Sequence, residues 1–202
     1  MNLFQGCTDR DVPRGMTWLR ESPEWSFDHR GRLTIVPEAV SDFFRPYGEE
    51  PNDNACLLYA QVTGDFTAVT RAEAVLAGFG DAAAITARAN EALWAKLCLE
   101  RSPIGDVSAV SVVTDGASDD ANGELLERPE CFMRLTRKGD VFGMHYSLDG
   151  ETWRLVPCFP LKMPQTVMVG VHAQAPFQGG CSAVFDFLKL TDEPVADFRS
   201  GE

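Results

Sequence analysis

Seven side chains stand out for the chemistry they could do together: Trp94, Lys96, Glu100, Arg134, His145, His172 and Gln174. Each lies in a stretch where polar and apolar residues alternate. Along Leu93 to Glu100, Ala95, Leu97 and Leu99 point one way, and Trp94, Lys96, Cys98 and Glu100 the other. Along Cys131 to Arg137, Arg134 sits opposite Met133 and Leu135. Along Val141 to Ser147, His145 sits opposite Met144 and Tyr146. Along Val167 to Gln174, His172 and Gln174 sit opposite Val171 and Ala173. Successive side chains of a strand leave on opposite faces. If these four strands share a sheet, the seven residues meet on one surface. An indole offers a platform for the C–H face of a sugar ring, and the polar groups hydrogen-bond its hydroxyls. The expected ligand is a small carbohydrate or a related polar metabolite. Lys96 and Glu100 span about 13 Å along one strand, so they reach opposite ends of one small ligand. Lys96 and Arg134 against Glu100 make the face neutral to slightly positive. A merely solvated face also carries Lys, Glu, Arg and Thr, but it accounts less well for a Trp and two of the three histidines.

Catalysis would need more than this set. Glycoside hydrolysis takes two carboxylates flanking the scissile bond. Glu100 is the one carboxylate on the face, and a second would come from a loop, such as Asp119 or Asp120. A lyase or isomerase would use His145 or His172 as base and Lys96 or Arg134 as the cation. No nucleophile elbow, phosphate-binding loop, HExxH or dinucleotide fingerprint is present. The cysteines lack zinc spacing. Asp115 to Gly123 is rich in oxygen ligands but lacks the closing Glu of an EF-hand loop, and it reads as turns. Neither a metal nor a cofactor is expected.

The elements that must position these residues are short strands. Turn signals recur along all 202 residues, among them Gly64-Asp65, Gly78-Phe79-Gly80-Asp81, Asp115-Gly116, Lys138-Gly139-Asp140 and Asp149-Gly150. Short alternating segments between frequent turns indicate an all-β sandwich or barrel. The clearest hairpin joins Cys131–Arg137 to Val141–Ser147 through Lys138-Gly139-Asp140. One stretch resists: Ile85 to Arg101 is rich in Ala, Leu, Glu and Arg, and by intrinsic propensity reads as a helix. Residues 1–191 are expected to form one domain and 192–202 a polar tail. Hydrophobic residues make up 45% and charged residues 24%, which is ordinary globular composition. The net charge of −12 repels nucleic-acid phosphates and anionic membranes. Its acids concentrate in expected loops, notably 115–130 and 49–53. No apolar run approaches the roughly 18 residues of a membrane helix, and the start carries no secretory pattern. The six cysteines are widely spread with no CxxC, which points to reduced thiols and a cytoplasmic protein.

Several pieces, taken in order, resemble one family. They are Gly64-Asp65-Phe66, Trp94-Ala95-Lys96 with Glu100, and Ser111-Val112-Val113-Thr114. Then come Arg134-Leu135-Thr136-Arg137, Ser147-Leu148-Asp149-Gly150-Glu151-Thr152-Trp153, and Val169-Gly170-Val171-His172-Ala173-Gln174-Ala175-Pro176. They resemble a poorly characterised family of bacterial and fungal proteins, a domain of unknown function, one fungal member of which is described as a regulator of enolase. The resemblance spans Met16 to Leu190. It implies a concanavalin-A-like lectin/glucanase sandwich, a jelly roll of two curved antiparallel sheets. It implies strands, not a helix, over Ile85 to Arg101, turning at Asn90-Glu91. It also implies sugar binding on a concave face, or else a regulatory protein partner. Ala84, where the family tends to carry Gly, and the Ala-rich Arg71–Ala77 depart from its pattern. The Glu-x-Asp-x-x-Glu run of glucanases with this fold is absent, so a sugar-active enzyme is the alternative reading. Trp153 is expected to plug the sandwich, Trp18 and Trp25 to pack, and His29 to sit solvated in a turn.

Overall fold

A computed structural model describes residues 1–202, which form sixteen strands and no α-helix. No helix is long and apolar enough to cross a membrane. The first sheet runs, in spatial order, β1 (Met16–Trp18), β6 (Leu58–Thr63), β15 (Thr166–Gln174), β8 (Ala82–Asn90), β9 (Leu93–Arg101), β10 (Val107–Asp115) and β11 (Ala117–Leu125). The second runs β14 (Arg154–Pro160), β13 (Val141–Ser147), β12 (Glu130–Lys138), β7 (Phe66–Val75), β16 (Ser182–Thr191), β3 (Leu33–Val36) and β2 (Glu24–Phe27). A ribbon of β4 (Phe43–Phe44) and β5 (Asn52–Asp53) stands apart from both. All pairings are antiparallel.

Alternation builds the core between the sheets. Val167, Val169, Val171, Ile85, Leu97 and Leu99 face inward from the first sheet. They meet Met133, Leu135, Phe142, Met144, Phe66, Phe185, Leu33 and Ile35 from the second, in one cluster of 40 buried residues. Truncating a fully buried member, as in Leu97→Ala, costs about 2–5 kcal/mol by lost burial and the cavity left behind.

Ile85 to Arg101 is a hairpin, β8 to β9, with Thr86 opposite Lys96 and Arg88 opposite Trp94. Helix propensity loses here because both faces of these strands are covered. Ala83, Ile85 and Ala87 enter the main core, while Ala84, Thr86 and Arg88 are buried on the other side. Propensity is worth tenths of a kcal/mol per residue, against 1.5–3 kcal/mol for burying one large apolar side chain. Ala84, the departure from the family pattern, sits between Cys98 and His172 without breaking the strand.

Within the expected loop region 115–130, Ala117–Leu125 instead form strand β11, with Asp119 opposite Val113 and Asp120 opposite Val112. Asp, Asn and Gly disfavour strands, but an edge position pairs on one side only and leaves the acids in water. Trp153 does not plug the sandwich. It lies outside the second sheet with Arg134 stacked on its ring at 4.2 Å. The preceding turn fixes its direction, because Asp149 accepts hydrogen bonds from the amides of Glu151 and Thr152. Trp25 is buried and Trp18 packs on it at 5.3 Å. His29 is exposed in a turn.

Residues 192–202 lie against the outer face of the second sheet. Thr67 donates to the carbonyl of Glu193 (2.8 Å), His145 to Phe198 (2.7 Å) and Arg134 to Gly201 (2.8 Å). Gly143 is required beneath this segment: a Cβ there would sit 2.6 Å from the Phe198 ring.

Candidate functional site

The outer face of the first sheet is not bare. A strap containing the β4–β5 ribbon crosses it, anchored by reciprocal 3.1 Å backbone hydrogen bonds between Ser41 and Ala175. Phe43, 1% exposed, lies over His172 (5.1 Å between rings) and Trp94 (6.2 Å). The Arg88 guanidinium sits 4.7 Å over the same phenyl ring and pairs with Asp53 at 2.8 Å. Phe43, Leu57, Ala84, Trp94, Cys98, Val110 and Val112 thereby make a second, small core outside the first sheet.

Lys96 stands at the edge of this core, 1% exposed. Its ammonium donates to Asp42 (3.2 Å), to the Phe43 carbonyl (2.8 Å) and to Gln174 Oε1 (2.7 Å). Burial pulls its pKa down, but Asp42 beside it, with Cys98 and Glu100, holds it above the ordinary lysine value. The lysine thus pins the strap to the sheet as a cation. Gln174 Oε1 also faces His172 Nε2 at 3.3 Å, while Nδ1 meets the Thr86 hydroxyl at 2.9 Å. An oxygen that already accepts from Lys96 assigns the imidazole proton to Nε2. Burial, reinforced by Lys96, lowers the His172 pKa to about 3, so the ring is neutral.

Beside the strap the face opens into a pocket of about 280 Å³. Lys96, Glu100 and Gln174 line it from the sheet, Asp42 and Asn52 from the strap, and Asp120 from β11. Phe44, Phe79, Pro176, Phe177 and Val112 supply the apolar wall. Phe79 and Phe177 stack on each other at 5.0 Å and 18°, and they remain 45% and 64% exposed. The turn presenting Phe79 is held by Asp81, which accepts from the amides of Ala77 and Gly78 at 2.9 and 2.8 Å. Glu100 is half-buried and makes no ion pair within 4.0 Å. Burial pushes its carboxyl up to about 7, with Asp42 and Asp120 adding to the rise and Lys96 opposing it. Such a group can give or take a proton near neutral pH.

The seven residues expected on one surface divide between two. Trp94, Lys96, Glu100, His172 and Gln174 share the outer face of the first sheet. Arg134 and His145 pair with each other on the outer face of the second sheet, across the whole sandwich. Alternation shows which side chains leave the core, but not which sheet carries them. Within the first set, Lys96, Glu100 and Gln174 line the pocket, whereas Trp94 and His172 are buried beneath Phe43 and support it from below. Trp94 is therefore no stacking platform: its indole donates to the Glu91 carbonyl and its ring faces Lys96 at 5.5 Å. The exposed aromatic surface belongs to Phe79 and Phe177, which sit in loops where alternation says nothing. For Phe79 the turn signal Gly78-Phe79-Gly80-Asp81 was the available sign. The charge expectation also reverses, since Lys96 is set against Asp42, Glu100 and Asp120.

Arg134 and His145 form a closed polar patch under residues 196–201. Burial lowers Arg134 to about 10, with no carboxylate beside it. Burial, with Arg134 nearby, lowers His145 to about 4. Arg134 Nε and His145 Nδ1 have no hydrogen-bond partner.

Comparison with known proteins gives these sites a setting. A yeast relative, Regulation of enolase protein 1 of Saccharomyces cerevisiae, is 30% identical over 178 residues, covering 87% of this chain and 88% of its own. A functionally unknown Saccharomyces cerevisiae protein of known crystal structure superposes with a TM-score of 0.82 at 27% identity, over 89% of this chain and 97% of that one. The GH43 protein BlXynB of Bacillus licheniformis, as a mutant, superposes with a TM-score of 0.78 at 15% identity, over 95% of this chain and 39% of that chain. That likeness is one of fold: the two antiparallel sheets are a concanavalin-A-like β-sandwich. The family model DUF1349, "protein of unknown function", matches residues 18–193, and the chain belongs to that family.

Proposed function

We propose that the pocket beside the β4–β5 ribbon binds a carbohydrate or a related polyhydroxylated metabolite. The observation that carries this reading is the exposed Phe79–Phe177 stack beside convergent hydrogen-bonding groups from Glu100, Asn52 and Asp120. Apolar walls with a few fixed polar groups are the usual make-up of a small-molecule site, and ring faces suit the C–H side of a sugar. The volume fits one small ring better than a long chain. Calorimetric titration with mono- and oligosaccharides tests it. A saccharide that binds should lose roughly tenfold in affinity in the Phe79→Ala, Phe177→Ala double variant. Absence of binding by every saccharide, or full affinity in that variant, sinks the reading. Turnover is read in the same samples: Glu100 and Asp120 line one pocket, so oligosaccharide cleavage by the wild type that Glu100→Gln abolishes would mark a hydrolase.

A second reading, a regulator that binds a metabolic enzyme, is favoured by the name of the yeast relative. The exposed phenylalanine pair would serve such a contact too. Purified enolase binding to the wild type but not to the double variant would support it; no binding would remove it. All six cysteines are free thiols, four of them buried, which favours a reducing, cytoplasmic setting.

A further inference from the structure

The charges lining the pocket constrain what it can hold. Lys96 is the one basic residue among the lining groups. An ammonium has three protons to give. All three go to the protein, to Asp42, Phe43 and Gln174 at 2.7–3.2 Å. The lysine therefore offers an incoming group neither a free proton nor an uncompensated charge, since Asp42 balances it. Two carboxyls remain, Glu100 on the floor and Asp120 on the wall, and neither takes part in an ion pair. The rim adds the faces of Phe79 and Phe177, whose ring quadrupoles attract cations. Asn52 can donate or accept, but every uncommitted charged or aromatic feature of the cavity favours a hydrogen-bond donor that is neutral or positive. Gln174 is largely committed: its Oε1 accepts from Lys96, and its amide NH₂ gives one of its two protons to the Gly80 carbonyl at 3.0 Å.

We infer that the pocket prefers an amino-bearing sugar, accepts the neutral parent sugar more weakly, and excludes the acidic one. This rests on the carbohydrate reading above and adds the charge class of the ligand. The state of Glu100 agrees with it. Its carboxyl is held up to about 7 by burial and by Asp42 and Asp120, against the pull of Lys96, with Cys98 the other titratable neighbour. An ammonium beside it would favour the ionised form, and a ligand carboxylate would meet a site already short of cations.

The test compares glucose, glucosamine and glucuronate on the wild-type chain, by calorimetry at low salt and at pH about 7, where much of the amine is protonated and Glu100 is partly ionised. The expected order is glucosamine, glucose, glucuronate, with roughly tenfold or more between first and last. Glu100→Gln and Asp120→Asn should each narrow that span. Glucuronate binding as tightly as glucosamine overturns the inference. A parallel titration separates it from the carbohydrate reading, using ethanolamine and acetate while the NMR signals of the Gly80 amide and the Gln174 side-chain amide are followed. Shifts with ethanolamine alone, with none of the three sugars binding, uphold the charge preference and defeat the carbohydrate reading. Shifts with acetate alone, or with neither probe when no sugar binds, defeat the preference.

Discussion

The two outer faces of the sandwich solve one problem in different ways. Each carries an outward row of polar side chains, and each is covered by a segment outside its sheet: the β4–β5 strap over the first, residues 192–202 over the second. Under the strap the buried cation, Lys96, has a carboxylate partner and borders an open pocket. Under the C-terminal segment the buried cation, Arg134, meets carbonyl oxygen and the Trp153 ring, with no carboxylate and no lining role in the pocket. Burial shifts both. Lys96 is held as a cation by Asp42, while Arg134 falls to about 10 with nothing to oppose the loss of water. A compensated charge at a cavity mouth organises a site, whereas an uncompensated one under a close cover records the cost of closing a face.

The sharpest way to break this contrast is to remove each cation in turn. Lys96→Ala strands Asp42 without its counter-charge and should cost about 3–5 kcal/mol in urea denaturation. Arg134→Met orphans no carboxylate and should cost about 1–2 kcal/mol. Equal losses would erase the distinction. Next comes Glu100. Its pKa is raised from 4.5 to about 7 on folding, so its contribution is whole below 4.5 and is lost as pH rises through 7. Glu100→Gln should therefore be more stable than the wild type above that range, by up to about 3 kcal/mol, and nearly equal to it in acid. A variant no more stable in alkali would place the carboxyl in water.

The buried histidines act in the opposite sense. His145 and His172 fall from 6.5 to about 4 and about 3, so the stability of their neutral forms is present above 6.5 and drains away as pH drops through those values. His145→Asn should flatten the acid limb of the stability curve, and an unchanged limb would argue that the C-terminal cover opens in acid before the ring titrates. Gly143→Ala should cost about 1–3 kcal/mol by pushing Phe198 off the second sheet, with the first-sheet pocket and its ligand affinity untouched. The smallest effect belongs to Phe177→Ala, expected within about 0.5 kcal/mol in stability. A large loss there would mean that the pair is structural, not a binding surface.

Alternation made Trp94, Lys96 and Glu100 legible as one side of one strand, while His172 and Gln174 join them through the β15–β8–β9 pairing, which alternation does not specify. It misplaced Arg134 and His145 because chain order does not choose the sheet: β12 pairs with β7, not with β9. The strap was illegible for a different reason. Phe43 and Asp42 act through contacts with residues more than fifty positions away, and nothing local to Ser41–Asn54 declares them. The β8–β9 hairpin was readable through family resemblance and not through propensity, since what stabilises it is burial on both faces. β11 hid because its composition is that of a turn.

That acid-bearing strand has a consequence for how copies of the chain meet. A free strand edge invites another chain to add to the sheet. At β11 a second copy would have to bring Asp119, Asp120 and Glu124 against their own counterparts, with like charges a few ångströms apart. The outer strand of the other sheet, β14, carries Pro157 and Pro160, which have no amide to donate. Sheet extension is discouraged at both of these borders, and at β11 neutralising those acids should make it easier.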